Sequence, residues 1–196
     1  MPHPTGLTHH EEIGTFIGNT TDQLGTIYQV VWWGFKQSGS LDTWIPNRVI
    51  DDLATNGTRP EFVRWGDRWL IATADNANED GQLRFYDPER LKQALNTSDE
   101  GVLVASFDCR SNVQGLHWID EENTLVLMRY SEESDRSLLT LMQMGEEGQA
   151  PTAESTLFFS DARGPFTGFA VVEPGWAILT SPSAENNVSF IRWPIE

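Results

Sequence analysis

Short runs of apolar and β-branched residues, separated by turn-forming residues, recur along the chain. In the clearest example the runs predict four strands, which are Glu61 to Trp65, Trp69 to Thr73, Gln82 to Tyr86 and Val102 to Phe107. Glycine, aspartate and asparagine are concentrated in the first two gaps, at positions 66–67 and 76–81. Closely spaced strands with such turns are typical of a small antiparallel sheet.

The longer gap before the fourth of these strands begins with Asp87 and Pro88. Aspartate is a favoured N-cap residue, and proline at the first helical position loses no hydrogen bond, because the N–H of that position has no partner within the helix. We therefore predict a short helix that starts at Pro88.

Several of the predicted strands are apolar at consecutive positions, as in Thr124 to Met128 and Trp176 to Leu179. A sheet with one solvated face would alternate apolar and polar residues, so these strands indicate sheets that are covered on both faces. Sheets of about four strands, stacked face to face around an axis, meet that requirement in a β-propeller. Eight tryptophans suit the spaces between blades, with Trp65 and Trp118 at one repeated position.

The strand pattern repeats four times along the chain. Intervals of 56, 53 and 53 residues separate the equivalent positions, which are Thr5, Glu61, Gln114 and Thr167. A recurring period of this length is the signature of a repeat architecture. The sequence therefore predicts an all-β, single-domain propeller or partial propeller, with repeats at about 3–57, 58–110, 111–163 and 164–196.

The fourth repeat contains only three predicted strands. We expect four blades of four antiparallel strands, of which the last lacks its fourth strand, within a six-bladed or similar ring. A four-bladed ring and an open ring completed by a second copy are the alternatives. Unpaired blade edges present free backbone groups, so they would also allow self-association.

Composition narrows the classes of partner. The net charge of −16 disfavours nucleic acid and anionic membrane surfaces, because binding to phosphates relies on lysine and arginine. We expect no transmembrane segment and no secretion signal within this chain, and its compartment stays open. The single cysteine, Cys109, excludes an internal disulfide.

Propeller topology predicts where polar residues gather. The connections from the fourth strand of one blade to the first strand of the next, and from the second to the third strand, lie on one face around the axis. Functional loops on a rigid scaffold are the expected pattern. The first kind of connection contributes His3, Thr5, Arg59, Glu61, Asn112, Gln114, Arg163 and Thr167, and the second contributes Asn19, Asp75, Asn76, Arg129 and Ser181.

Two stretches resemble blade signatures of a known superfamily. These are His3-Pro4-Thr5-Gly6-Leu7 and the segment from Thr73 to Pro88, and they are similar to the NHL-repeat and gluconolactonase (senescence-marker) propellers. In the gluconolactonase group, residues that begin the first strand of several blades hold a divalent metal, often calcium, on the axis. The resemblance places these ligand positions at Thr5, Glu61, Gln114 and Thr167.

The chain departs from the family pattern at these positions. The family expects a glutamate, asparagines and an aspartate there, whereas Glu61 is the one carboxylate of the four residues. Calcium prefers six to eight oxygen ligands, several of them charged, so a calcium site would need Asp75 or residues of further blades. The other interpretation of Glu61 is an axial carboxylate that is hydrogen-bonded or paired with Arg59 or Arg163.

Two functions remain open from the sequence. The favoured function is that of a non-catalytic propeller. It would bind a small molecule or a protein partner on the face that the two kinds of connection form. The alternative, implied by the resemblance, is a calcium- or other metal-dependent hydrolase of lactones or esters. In that hypothesis Glu61 binds the metal, Asp75 is a metal ligand or base, and the metal activates water. The sequence contains no recognised set of catalytic residues. The first hypothesis requires no cofactor.

Overall fold

The computed structural model describes residues 3–21, 23–30, 47–77, 79, 81–159, 164–182 and 187–193. Strands dominate these residues, and they form four small antiparallel sheets in a ring that resembles a four-bladed β-propeller. The predicted fold class is therefore confirmed. The structure shows four blades, and the larger ring stays a prediction.

The strands follow one another in chain order within each sheet. Blade 1 contains β1 to β4, which span His3–His10, Gly14–Thr21, Leu24–Val30 and Asn47–Asp51. Blade 2 contains β5 to β8, which span Glu61–Trp65, Arg68–Ala74, Gly81–Tyr86 and Leu103–Cys109. Blade 3 contains β9 to β12, which span Val113–Ile119, Thr124–Ser131, Arg136–Gln143 and Ala153–Phe159. Blade 4 contains β13 to β15, which span Gly168–Glu173, Gly175–Thr180 and Val188–Trp193.

The strands predicted for blade 2 agree with those observed to within two residues at each end. The predicted helix is also present as α1, Pro88–Leu91, in which the Asp87 carboxylate accepts hydrogen bonds from the amides of Glu89 and Arg90. It is the single helix in the described part of the chain, and its four residues are too few to cross a membrane.

Apolar side chains fill the three spaces between consecutive blades. Between blades 1 and 2 the buried residues include Phe16, Ile27 and Phe62. Between blades 2 and 3 the cluster contains both Trp65 and Trp118, as expected for core aromatics. A third cluster, which includes Phe169, joins blades 3 and 4. Face-to-face burial therefore holds the blades in order.

The first strand of each blade is the innermost. Strands β1, β5, β9 and β13 contact one another in sequence around the axis. This placement brings the starts of these strands, and the loops before them, close to the axis.

A truncation in the space between blades 2 and 3 tests this packing. Leu127 is fully buried there, so Leu127→Ala should lower the free energy of unfolding by about 2–5 kcal/mol, through lost burial and a residual cavity. Urea denaturation measures the change. Leu95→Ala is the matched control, because Leu95 is 72% exposed, and an equal loss in both variants would contradict the packing described.

Candidate functional site

Three loops between strands are joined by backbone and side-chain hydrogen bonds near the axis. The amide of Asn76 donates to the Thr55 carbonyl over 3.2 Å, and the Asn56 side chain donates to the Asn76 carbonyl over 3.0 Å. The amide of Asn112 donates to the Ala77 carbonyl over 2.8 Å. We call residues 55–59, 75–77 and 111–114 the loop surface. It brings connections of both predicted kinds together.

Backbone conformation shapes this surface at two positions. Asn112 has a φ of 57°, in the left-handed region that asparagine tolerates better than most residues. Gly57 has a φ of 95°, and a Cβ atom there would lie 1.8 Å from the Thr20 hydroxyl oxygen. Glycine is required at position 57 for both reasons, since it allows the loop before β5 to approach blade 1.

Arg59 crosses the loop surface from blade 2 to blade 3. Its Nε donates to the Gln114 carbonyl over 3.0 Å, and the Gln114 side chain donates to the Asn76 side-chain oxygen over 3.2 Å. Arg59 is 6% exposed, and its Nη1 has no hydrogen-bond acceptor among the described residues. Burial lowers the pKa of Arg59 to about 10, against the opposing charge of Asp75. Arg59 therefore stays charged at neutral pH with one donor unused.

Each carboxylate oxygen of Asp75 accepts two hydrogen bonds. Its Oδ1 accepts hydrogen bonds from the Thr55 amide over 2.7 Å and from Arg84 Nη1 over 2.6 Å. Its Oδ2 accepts from the Gln82 amide over 2.9 Å and from Arg84 Nη2 over 3.1 Å. Both side chains of this bidentate ion pair are buried. Asp75 thus fixes the loop before β5 to the β6–β7 turn, and its oxygens are engaged rather than free to act as a base.

Glu61 lies at a second, separate place near the axis. Its Oε1 accepts a hydrogen bond from the Trp118 amide over 3.0 Å and lies 3.6 Å from His117 Nδ1. Burial raises the pKa of Glu61 to about 7, and hydrogen bonds from the Trp118 amide and the Thr8 hydroxyl oppose this rise. Burial also lowers the pKa of His117. Both shifts favour the neutral forms, so Glu61 and His117 do not form a fully charged pair at neutral pH.

The metal positions implied by the resemblance do not come together around Glu61. The Thr5 hydroxyl donates to the Thr58 carbonyl, the Gln114 amide group donates to Asn76, and Thr167 is exposed. The blade 1 residue that hydrogen-bonds to Glu61 is Thr8, which lies three positions after Thr5. Among the described residues no three acidic, histidine or cysteine side chains are grouped as metal ligands. The residues present therefore do not fit calcium.

The alternative interpretation of Glu61 as a hydrogen-bonded carboxylate agrees with its contacts. The suggested partner Arg59 donates to Gln114 instead, and Arg163 lies outside the described residues.

The remaining candidates are spread over the four blades. Asn19 is buried and donates to the Thr26 hydroxyl over 3.3 Å, and Arg129 donates from Nε to the Ser111 carbonyl over 2.8 Å. The Ser181 amide donates to the Asn187 carbonyl over 3.0 Å in blade 4. His3 lies at the start of β1, and the structure describes its backbone but not its side chain. Of these residues, Arg129 reaches the loop surface.

Sequence reasoning missed a buried carboxylate between blades 1 and 2. Asp51 accepts hydrogen bonds from the Tyr86 hydroxyl over 2.7 Å and the Thr97 hydroxyl over 2.9 Å. Burial raises the pKa of Asp51, although these hydrogen bonds oppose the rise. No motif marks Asp51, because its partners lie 35 and 46 residues away in the chain.

A cleft at the other end of blades 2 and 3 was also missed. Its volume is about 630 Å³, and its lining includes Arg64, Asp120 and Glu146. Arg64 adjoins the β5–β6 turn, Asp120 lies in the β9–β10 turn, and Glu146 lies in the β11–β12 connection. The predicted site residues came from other connections.

The pH dependence of stability tests the environment of Glu61. In the unfolded chain Glu61 titrates near 4.5, whereas the folded chain holds the proton up to about pH 7. The contribution of Glu61 to the free energy of unfolding is therefore greatest at low pH and falls, by on the order of 3 kcal/mol, as pH rises through this window. Urea denaturation over a pH series should show a smaller fall in Glu61→Gln. Glu121→Gln is the exposed control, and parallel profiles for wild type and Glu61→Gln would refute the assignment.

Substitution of Asp75 tests its structural role. Asp75→Asn removes the counter-charge of buried Arg84, so we expect a loss of about 3–5 kcal/mol in the free energy of unfolding. Asp108→Asn is the matched control, because exposed Asp108 accepts a hydrogen bond from the Gln82 side chain of the same blade. Equal stability of the two variants in urea would show that the Asp75–Arg84 pair contributes little.

Neither a protein-family model nor a curated protein sequence matches this chain. The likeness to the NHL-repeat and gluconolactonase propellers therefore rests on short sequence signatures and on the arrangement of blades.

Proposed function

We propose that this protein is a non-catalytic propeller scaffold that binds a ligand on the loop surface. The ligand is a small carboxylate, or a carboxylate group that a protein partner presents. Support comes from the loops themselves, since cross-blade hydrogen bonds fix residues of blades 2 and 3 relative to each other. A preorganised polar surface of this kind loses little entropy when it binds.

The observation that carries the proposal is the unused donor of Arg59. Leaving a buried donor unpaired costs about 1–3 kcal/mol, and more for a charged group. Arg84 engages both oxygens of Asp75, so within the described part of the chain the Arg59 guanidinium feels the charge of Asp75 but is bonded to no carboxylate. A carboxylate that enters between the loops would supply both the acceptor and the charge.

The hydrolase hypothesis has weaker support. It requires Glu61 and Asp75 to serve one metal or one reacting group. Glu61 is bonded to blade 3, whereas Asp75 is bonded to Arg84 and to the loop before β5. No observation on the described residues favours this hypothesis over binding.

A titration with small carboxylic acids tests the binding proposal. We would add acetate, lactate and benzoate to ¹⁵N-labelled protein and follow the Arg59 Nε–H and Asn112 amide resonances. We expect at least one acid to bind saturably to the wild type, and Arg59→Gln to weaken it about tenfold or more, the equivalent of one charge-assisted hydrogen bond. Arg64→Gln is the control, because it removes the same charge from half-exposed Arg64 in β5.

Two results would contradict the proposal. One is a wild type that shows no saturable response to any of the acids. The other is equal affinity in the wild type and Arg59→Gln. Where Arg59→Gln is too unstable to titrate, Arg59→Lys retains the positive charge but lacks Nη1, and the same loss of affinity is expected.

A further inference from the structure

Blade 4 packs one face on blade 3 and turns the other face away from it. Phe169, Ala177, Leu179 and Trp193 belong to the apolar cluster that joins blades 3 and 4. Successive side chains of a strand point to opposite faces, so the alternating residues of β14 and β15 lie on the other face. We call this surface the blade 4 outer face, and we describe it by two rows of residues that cross the three strands.

The first row is apolar and crosses the middle of the blade 4 outer face. Directly opposite residues of an antiparallel pair lie on the same face of a sheet. Ala170 of β13 is opposite Ile178 of β14, which in turn is opposite Phe190 of β15. Phe190 is 66% exposed, and Ala170 is also exposed. The row therefore has its smallest side chain on β13 and its largest on β15.

The second row carries charges of both signs. A bulge between Val171 and Glu173 places Glu173 opposite Trp176, which is opposite Arg192. All three side chains of the row are exposed, and the Arg192 guanidinium carbon lies 5.8 Å from the centre of the Trp176 ring. Neither Glu173 nor Arg192 forms an ion pair within the described part of the chain. The row thus carries a negative charge on β13 and a positive charge on β15.

On blades 1, 2 and 3 the corresponding face is covered by the following blade. On blade 4 the large apolar side chains of this face stay exposed, with Val188 at 51% and Trp176 at 39%. Contiguous exposed apolar residues with a polar rim are typical of a surface that contacts another protein.

We propose that the blade 4 outer face packs on the same face of a second copy of this chain, about a twofold axis parallel to β14. Rotation about such an axis keeps the direction of the strands and reverses their order. As a result β13 of one molecule lies against β15 of the other. Sheets that pack with nearly aligned strands are common. The contact is isologous, so it closes at a dimer.

Both rows fit this arrangement. In the apolar row Ala170 of each molecule faces Phe190 of the other, so a small side chain leaves room for a large one. In the charged row Glu173 of each molecule faces Arg192 of the other, and the two Trp176 rings meet at the axis. The face is therefore complementary to itself in size and in charge, which is the reason for choosing a second copy as the occupant.

Long-range electrostatics sets the expected strength of the contact. Each chain carries a net charge of −16, so two copies repel each other over most of their surfaces. The blade 4 outer face balances its own charges, because Glu173 and Arg192 pair across the axis. We therefore expect a reversible dimer that dissociates on dilution.

Sedimentation equilibrium of the full chain tests the contact. The wild type should show a dimer in exchange with the 22.1 kDa monomer. Phe190→Asp should raise the dissociation constant about tenfold or more, because it places a charge in the apolar row. Phe158→Asp is the matched control, since Phe158 is 65% exposed on blade 3, and it should associate like the wild type.

A charge exchange tests the twofold arrangement. Arg192→Glu alone and Glu173→Arg alone should each raise the dissociation constant about tenfold or more, because every dimer would then contain two like-charged pairs. A mixture of the two variants should associate more strongly than either variant alone, since both pairs are opposite in charge in the mixed dimer. Both side chains are exposed, so these variants also serve where circular dichroism shows that Phe190→Asp is unfolded.

An added side chain tests the register. Ala170→Phe enlarges the apolar area of an exposed position, so it would strengthen an unspecific hydrophobic contact. In the proposed dimer it fills the space that Phe190 of the second copy occupies. We therefore expect it to raise the dissociation constant about tenfold.

Four outcomes would overturn the inference. They are a wild type that stays monomeric at every concentration, equal weakening by Phe190→Asp and Phe158→Asp, a charge-exchange mixture no stronger than its components, and stronger association of Ala170→Phe. The third and fourth would assign the blade 4 outer face to a different partner or a different arrangement. None of these results bears on the Arg59 titration, so this inference and the proposed function can fail independently.

Discussion

Each sheet of this protein carries apolar side chains on both faces, and the need to cover both faces is the constraint on which the structure depends. A single small sheet cannot meet it alone, so stability comes from the spaces between blades, where clusters such as that around Trp65 and Trp118 are buried. The same constraint explains why one repeat has no independent core.

Polar groups inside the ring are tolerated because they are bonded across blades. Glu61 joins β5 to β9, Asp51 joins blade 1 to Tyr86 of blade 2, and Asp75 of the β6–β7 turn accepts a hydrogen bond from the Thr55 amide of the loop before β5. Each bond compensates for the removal of a polar group from water, and each also fixes the rotation of one blade relative to its surroundings. The polar contacts therefore specify the alignment of blades that apolar burial brings together.

The proposed binding function relies on the rigidity that this alignment provides. The loop surface is assembled from segments of two blades and is held by hydrogen bonds between its loops. The Arg59 Nη1 is buried there with no acceptor in the ranges that the structure describes.

The sequence by itself determined the blades. Strand positions in blade 2, the helix capped by Asp87 and the fourfold repeat follow from local patterns, because strand, turn and cap preferences are properties of neighbouring residues. It also indicated which loops lie near the axis. The tertiary structure alone decided which partners the predicted site residues contact. Glu61 is bonded to Thr8 and Trp118 of the neighbouring blades, and the partners of Asp51 lie 35 and 46 residues away in the chain. No local pattern could therefore have separated a bonded carboxylate from a metal ligand or a base.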